Sequence, residues 1–136
     1  MTKRVLAILI TILILLIGGS LIYNRFFKIP NYHTAINEAD IKEIRIIINY
    51  NEKKIRAKDW APIIQEFNNS KIIRVNKLDT IGDVNVFFAL KDGHSINCEI
   101  DGNELKVSRL IEQKRVDYIA ENKEIKDIVT SIFGTN

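Results

Sequence analysis

VNVFFALKDGHSINCEID, residues 84–101, decides the fold. Val84, Val86, Phe88 and Leu90 alternate with Asn85, Phe87 and Ala89, which is the period of a strand with one buried face. Asp92-Gly93 supplies a turn with positive φ, and Ile96, Cys98 and Ile100 resume the alternation beyond it. Tight turns join only antiparallel neighbours, because parallel strands need long crossovers. Toward the C-terminus, Asp101-Gly102 repeats the hairpin signal, Leu105 and Val107 keep the pattern, and Glu112–Lys114 turns the chain into a strand over Arg115–Ala120. Asn122 is placed to cap a closing helix with Ile125, Ile128, Val129 and Ile132 on one face, and Gly134 stands where a C′ glycine would end it.

Toward the N-terminus, Ile44, Ile46, Ile48 and Tyr50 share one parity in a strand over Ile41–Tyr50. Asn51-Glu52 turns it into Lys53–Ala57. Asp59 is a candidate N-cap for a helix whose Trp60, Ile63, Ile64 and Phe67 fall on one face, ended by Asn68-Asn69-Ser70. Lys71–Val75 reads as an edge strand and Lys77–Asp83 as a loop. Two amphipathic helices need a surface on which to bury their stripes, and one sheet face provides it. The expectation is an α+β, two-layer domain over residues 41–134: an antiparallel sheet with two helices packed on one face, in the order ββα(β)ββββα.

A different kind of segment precedes this domain. Val5 to Asn24 carries no charge over twenty residues, about 30 Å as a helix, which is the thickness of a bilayer core. Thirteen of residues 5–22 are Val, Leu or Ile, so insertion is favourable by roughly 4–8 kcal/mol. Backbone groups cannot remain unpaired in lipid, which leaves a helix as the form of a single span. Val5–Tyr23 is therefore expected to contact the bilayer, within an anchor over residues 1–25. Pro30 blocks helix continuation, and residues 26–40 lack periodicity and read as a juxtamembrane linker. The competing reading is a signal peptide cleaved after Ser20, which would yield a secreted chain; Leu21 and Ile22, extending the run to spanning length, favour the anchor. Three positive groups before the span, the α-amine, Lys3 and Arg4, against Arg25 and Lys28 after it, orient the N-terminus inward and the domain outward.

The chain of 136 residues carries 20 basic and 17 acidic side chains. Without Lys3 and Arg4 the balance is close to neutral, and no basic stripe with interleaved aromatics appears, so nucleic acid is not an expected partner. One cysteine excludes a disulfide framework and an all-cysteine zinc site.

The hydrophobic N-terminus, the Ile41–Tyr50 strand, the Val84–Gly93 hairpin and the Tyr118-Ile119 strand before the closing helix together resemble small membrane-anchored, lipoprotein-like extracytoplasmic proteins of low-GC Gram-positive bacteria, many of them uncharacterised. Leu16-Ile17-Gly18-Gly19-Ser20 is similar to a lipobox with serine in place of the lipidated cysteine. The resemblance implies location and fold; it transfers no catalytic residue.

Local chemistry is sparse. His94 and Cys98 share a strand parity, but two ligands do not make a zinc site, and His33 falls in the linker. Asp79, Asp83, Asp92, Asp101 and Glu104 lack EF-hand spacing, and Asp92 and Asp101 are explained by turns. No P-loop, dinucleotide fingerprint or G-x-S-x-G elbow occurs, and no catalytic residue, metal or cofactor is assigned. The informative anomaly is apolar residues of the wrong parity: Ile47, Phe87, Ala89 and Ile119 are expected on the sheet face opposite the helices, as a candidate partner face. The expected function is a non-catalytic, membrane-tethered binding or regulatory module for an envelope protein or peptide. The alternatives are an immunity-type protein against a secreted toxin and a small envelope hydrolase, the latter requiring a deep polar pocket with two perturbed carboxylates.

Overall fold

The computed structural model describes residues 2–26, 28–75 and 82–136. The chain forms two compact units, Met1–Pro30 and Asn31–Asn136. The first is α1 (Lys3–Phe26), 24 residues with no buried side chain and a mean hydropathy of 3.0 over its most apolar window. It is long and apolar enough to cross a membrane, as an anchor or a signal sequence must be. Within the apolar run, Thr11 Oγ1 donates to the Ala7 carbonyl at 3.0 Å, so that polar group is satisfied within the helix.

The second unit is α+β. Its strands are β1 (Ile41–Ile48), β2 (Asn51–Lys54), β3 (Lys71–Val75), β4 (Val84–Leu90), β5 (Ser95–Asp101), β6 (Glu104–Ile111) and β7 (Lys114–Glu121). They form one open antiparallel sheet in the order β2-β1-β4-β5-β6-β7-β3. Helix α2 (Trp60–Asn69) joins β2 to β3, which lie at opposite edges, and α3 (Ile125–Thr135) follows β7.

The register aligns the alternation found in the sequence. Ile46 pairs with Val86, Val86 with Cys98, Cys98 with Val107 and Val107 with Tyr118, a single row across five strands whose members are all fully buried. Ile63, Ile64 and Phe67 of α2 and Ile125 and Val129 of α3 join the same core. Phe67 meets Phe88 with ring centroids 5.2 Å apart and planes tilted by 57°, a favourable aromatic geometry. Burial drives the Cys98 thiol far above its ordinary range, so it is a small apolar core residue and not a nucleophile.

Several local expectations are corrected. The first hairpin turns at Asn49-Tyr50, not Asn51-Glu52, with φ of 50° and 65°. Tyr50 thus leaves the sheet parity and stands fully exposed. Asp59 precedes α2 but makes no capping bond; its carboxylate accepts from Arg56 Nε at 3.2 Å, a competing charged partner. Gly134 lies inside α3 and does not stop it. There Lys53 Nζ donates to the Phe133 and Asn136 carbonyls, both at 2.8 Å, placing a cation at the negative end of the helix. Asn122 does cap α3, its Oδ1 accepting from the Glu124 and Ile125 amides at 2.8 and 3.1 Å.

The largest difference concerns residues 31–40, expected as linker. The compact unit begins at Asn31: Ile36 is buried, Tyr32 packs on the core, and a 3-10 turn over Glu38–Asp40 leads into β1. This strap lacks periodicity because neither of the regular patterns holds it. Its partners lie on α2, β6 and β7, and Lys91, just after β4, donates to the Ala39 and Asp40 carbonyls at its far end.

Candidate functional site

Two places on the folded unit carry polar chemistry. The first is the seat of the strap. His33 Nε2 lies 2.6 Å from the Phe67 carbonyl, and Nδ1 lies 2.8 Å from the Tyr118 hydroxyl. Arg109 donates to the Thr34 carbonyl at 2.7 Å, and its charge bears on both His33 and Tyr118. Three residues on, Asn68 brackets Ile36: its Oδ1 accepts from the Ile36 amide at 2.7 Å and its Nδ2 donates to the Ile36 carbonyl at 2.9 Å. Burial lowers the His33 pKa, with the bond to Phe67 opposing it and Arg109 reinforcing it. Burial pushes Tyr118 up to about 12, so it is a neutral donor and acceptor.

Sequence reading missed this cluster. One signal was available: Tyr118 shares the core parity of Val107 and Cys98, and a tyrosine hydroxyl in a core needs a partner. Nothing local named His33, which is 85 residues away.

The second place is the sheet face opposite the helices. Phe87 pairs across the strands with Arg45 and Asn97, and Asn97 with Ser108. The Arg45 guanidinium lies 4.4 Å from the Phe87 ring centroid and is held by Glu43 at 3.1 Å and Glu52 at 2.9 Å. An open trough of about 430 Å³ runs beside Phe87, lined by His94, Ser95, Asn97, Ser108, Leu110 and Arg115 among others, with no carboxylate in its lining. A smaller hollow of about 220 Å³ is lined by Ile47, Tyr50, Asp83 and Asn85 among others.

Of the four candidate partner-face residues, Ile47, Phe87 and Ala89 come together on the adjacent strands β1 and β4, each partly exposed. Ile119 does not join them. It lies on β7 with β5 and β6 between, and it is only 4% exposed, so it cannot belong to an open patch. Its neighbour in the same row, Lys106, is also buried and pairs with Asp101 at 3.9 Å. The exposed apolar residue on this side of the trough is instead Leu110.

The remaining sequence candidates disperse. His94 sits before β5 with Nδ1 3.1 Å from Asp92, while Cys98 points into the core. Asp92 Oδ1 accepts from the His94 amide, which is turn chemistry. Glu104 pairs with Arg74 at 3.1 Å and Asp83 is exposed. Asp79 and most of the 77–83 loop lie outside the described residues. Among the described residues, no three His, Cys, Asp or Glu side chains converge as metal ligands.

No protein-family model, curated protein or solved structure matches this chain.

Proposed function

We propose that the chain is a non-catalytic, membrane-tethered module on the extracytoplasmic side, which binds or regulates an envelope protein or peptide through the outer face of its sheet. The observation that carries this reading is the form of that face. It is broad and open, with Phe87 held under Arg45 beside a shallow trough of amide and hydroxyl side chains. Aromatic anchors ringed by polar groups suit a polypeptide surface. Helix α1 supplies the tether, and the positive groups ahead of it favour an outward domain. Tethering concentrates the domain near other membrane components, so modest contacts suffice.

The test is photocrosslinking in intact cells from an aryl-azide or benzophenone residue at Asn97, with protease shaving to report the side. A discrete envelope-protein or peptide adduct is expected, lost when Phe87 and Ile47 are changed to Ser while the melting temperature falls by only a few degrees. Adducts unchanged by the double substitution would refute the docking face. Adducts with cytosolic proteins alone would refute the orientation.

A further inference from the structure

The strap is fastened by few bonds, and one set depends on a proton. The Phe67 carbonyl can only accept, so His33 Nε2 carries the hydrogen of that 2.6 Å bond. In the neutral ring Nδ1 is then an acceptor, and the Tyr118 hydroxyl donates to it across 2.8 Å. A proton on Nδ1 would make that nitrogen a donor, turn the Tyr118 hydrogen out of the bond, and place a second cation near Arg109.

Among the described residues, no counter-charge acts on the ring. β6 presents Arg109 and β7 presents Tyr118, with Cys98 of β5 beyond Tyr118. From α2 come the Phe67 ring, centroid 4.6 Å away, and its carbonyl, whereas Glu66 is bonded to Asn122. The strap itself adds Tyr32.

We propose that His33 is a proton-operated latch. Protonation of its ring releases residues 31–35 from the domain, while Ile36 stays bracketed by Asn68. The consequence is the amount of chain the domain holds: with Ile36 rather than His33 as the first fixed residue, three more residues ahead of it are released, about 10 Å of extended chain.

The direction with pH follows from linkage. The seated ring, desolvated and close to Arg109, resists the proton, and the released ring takes it near the ordinary value of 6.5. The released state therefore binds more protons. The contribution of His33 to seating is at its full value above about pH 6.5 and weakens below it by up to about tenfold per pH unit, levelling off once the seated ring itself titrates.

The test is amide hydrogen exchange of the full chain in lipid nanodiscs between about pH 7.5 and about pH 5, each rate divided by its intrinsic rate at that pH. Normalised exchange in residues 31–35 is expected to rise below about pH 6.5 while Ile36 and residues 96–100 of β5 stay protected. H33Q, which does not titrate, is expected to remove the pH response. Y118F, which frees Nδ1 for a proton, is expected to weaken it. A flat wild-type profile, an unchanged response in H33Q, or simultaneous opening of β5 would each overturn the latch. Should H33Q fail to fold, nitrogen NMR of the wild-type imidazole decides: the latch requires the Nε2–H tautomer at neutral pH and strap resonances that move with the ring titration. The opposite tautomer, or strap resonances indifferent to the ring, would refute it.

Discussion

Replacing Asn68 by Ala isolates the clamp on the strap. The wild-type amide makes two bonds to one residue, at 2.7 Å to the Ile36 N–H and 2.9 Å to its C=O. Each is worth about 0.5–1.5 kcal/mol net, and together about 1–3 kcal/mol. Leaving both backbone groups buried and unpaired would cost about 1–3 kcal/mol each. The strap has an escape, however: it can lift and return those groups to water, at the expense of burying Ile36, now 6% exposed. The loss is therefore capped by the strap's own docking free energy. The expected outcome is a domain about 1–3 kcal/mol less stable, with a melting temperature lower by about 5–15 °C. Hydrogen exchange should place the loss. Residues 31–36 lose protection at temperatures where β4, β5 and β6 keep it. The argument fails if the strap keeps wild-type protection, or if strap and sheet open together at all temperatures, because the strap would then be part of the cooperative core.

Three further substitutions test the two faces of the sheet and the close approach of Gly82 to β5. Phe88→Ala, at a position with no solvent exposure, is expected to cost about 3–5 kcal/mol in urea unfolding, whereas Phe87→Ala, its neighbour on the opposite face, should cost about 1 kcal/mol; equal losses would refute the facing. Gly82→Ala would set a methyl 2.9 Å from the Ile100 carbonyl oxygen, a backbone atom that cannot rotate away, and is expected to cost about 1–3 kcal/mol with the shift centred on β5; no change in stability would refute the close approach.

The sheet was legible because its information is local. In Val84–Leu90 and Ser95–Asp101 every second side chain is apolar, and Gly93 supplies the positive φ of 89° in the turn between them. The apolar helix ahead of the domain was legible for the same reason, since twenty uncharged residues need no context. The first hairpin was displaced by two residues because Asn49 and Tyr50, neither of them Gly, adopt the left-handed conformation there. Propensity alone did not select that pair.

The amino-acid order by itself determined which side chains alternate, which helical faces are apolar and where a membrane-length segment lies, since each depends on neighbours within a few positions. Only the tertiary structure decided that β2 and β3 form opposite edges, that Ile119 is cut off from Phe87 by two strands, and that His33 reaches Tyr118. Those outcomes depend on contacts between residues tens of positions apart. Hydrophobic burial that sets them is non-directional: it rewards any arrangement covering the same area, and the choice falls to packing and to hydrogen bonds that only the assembled fold brings into range.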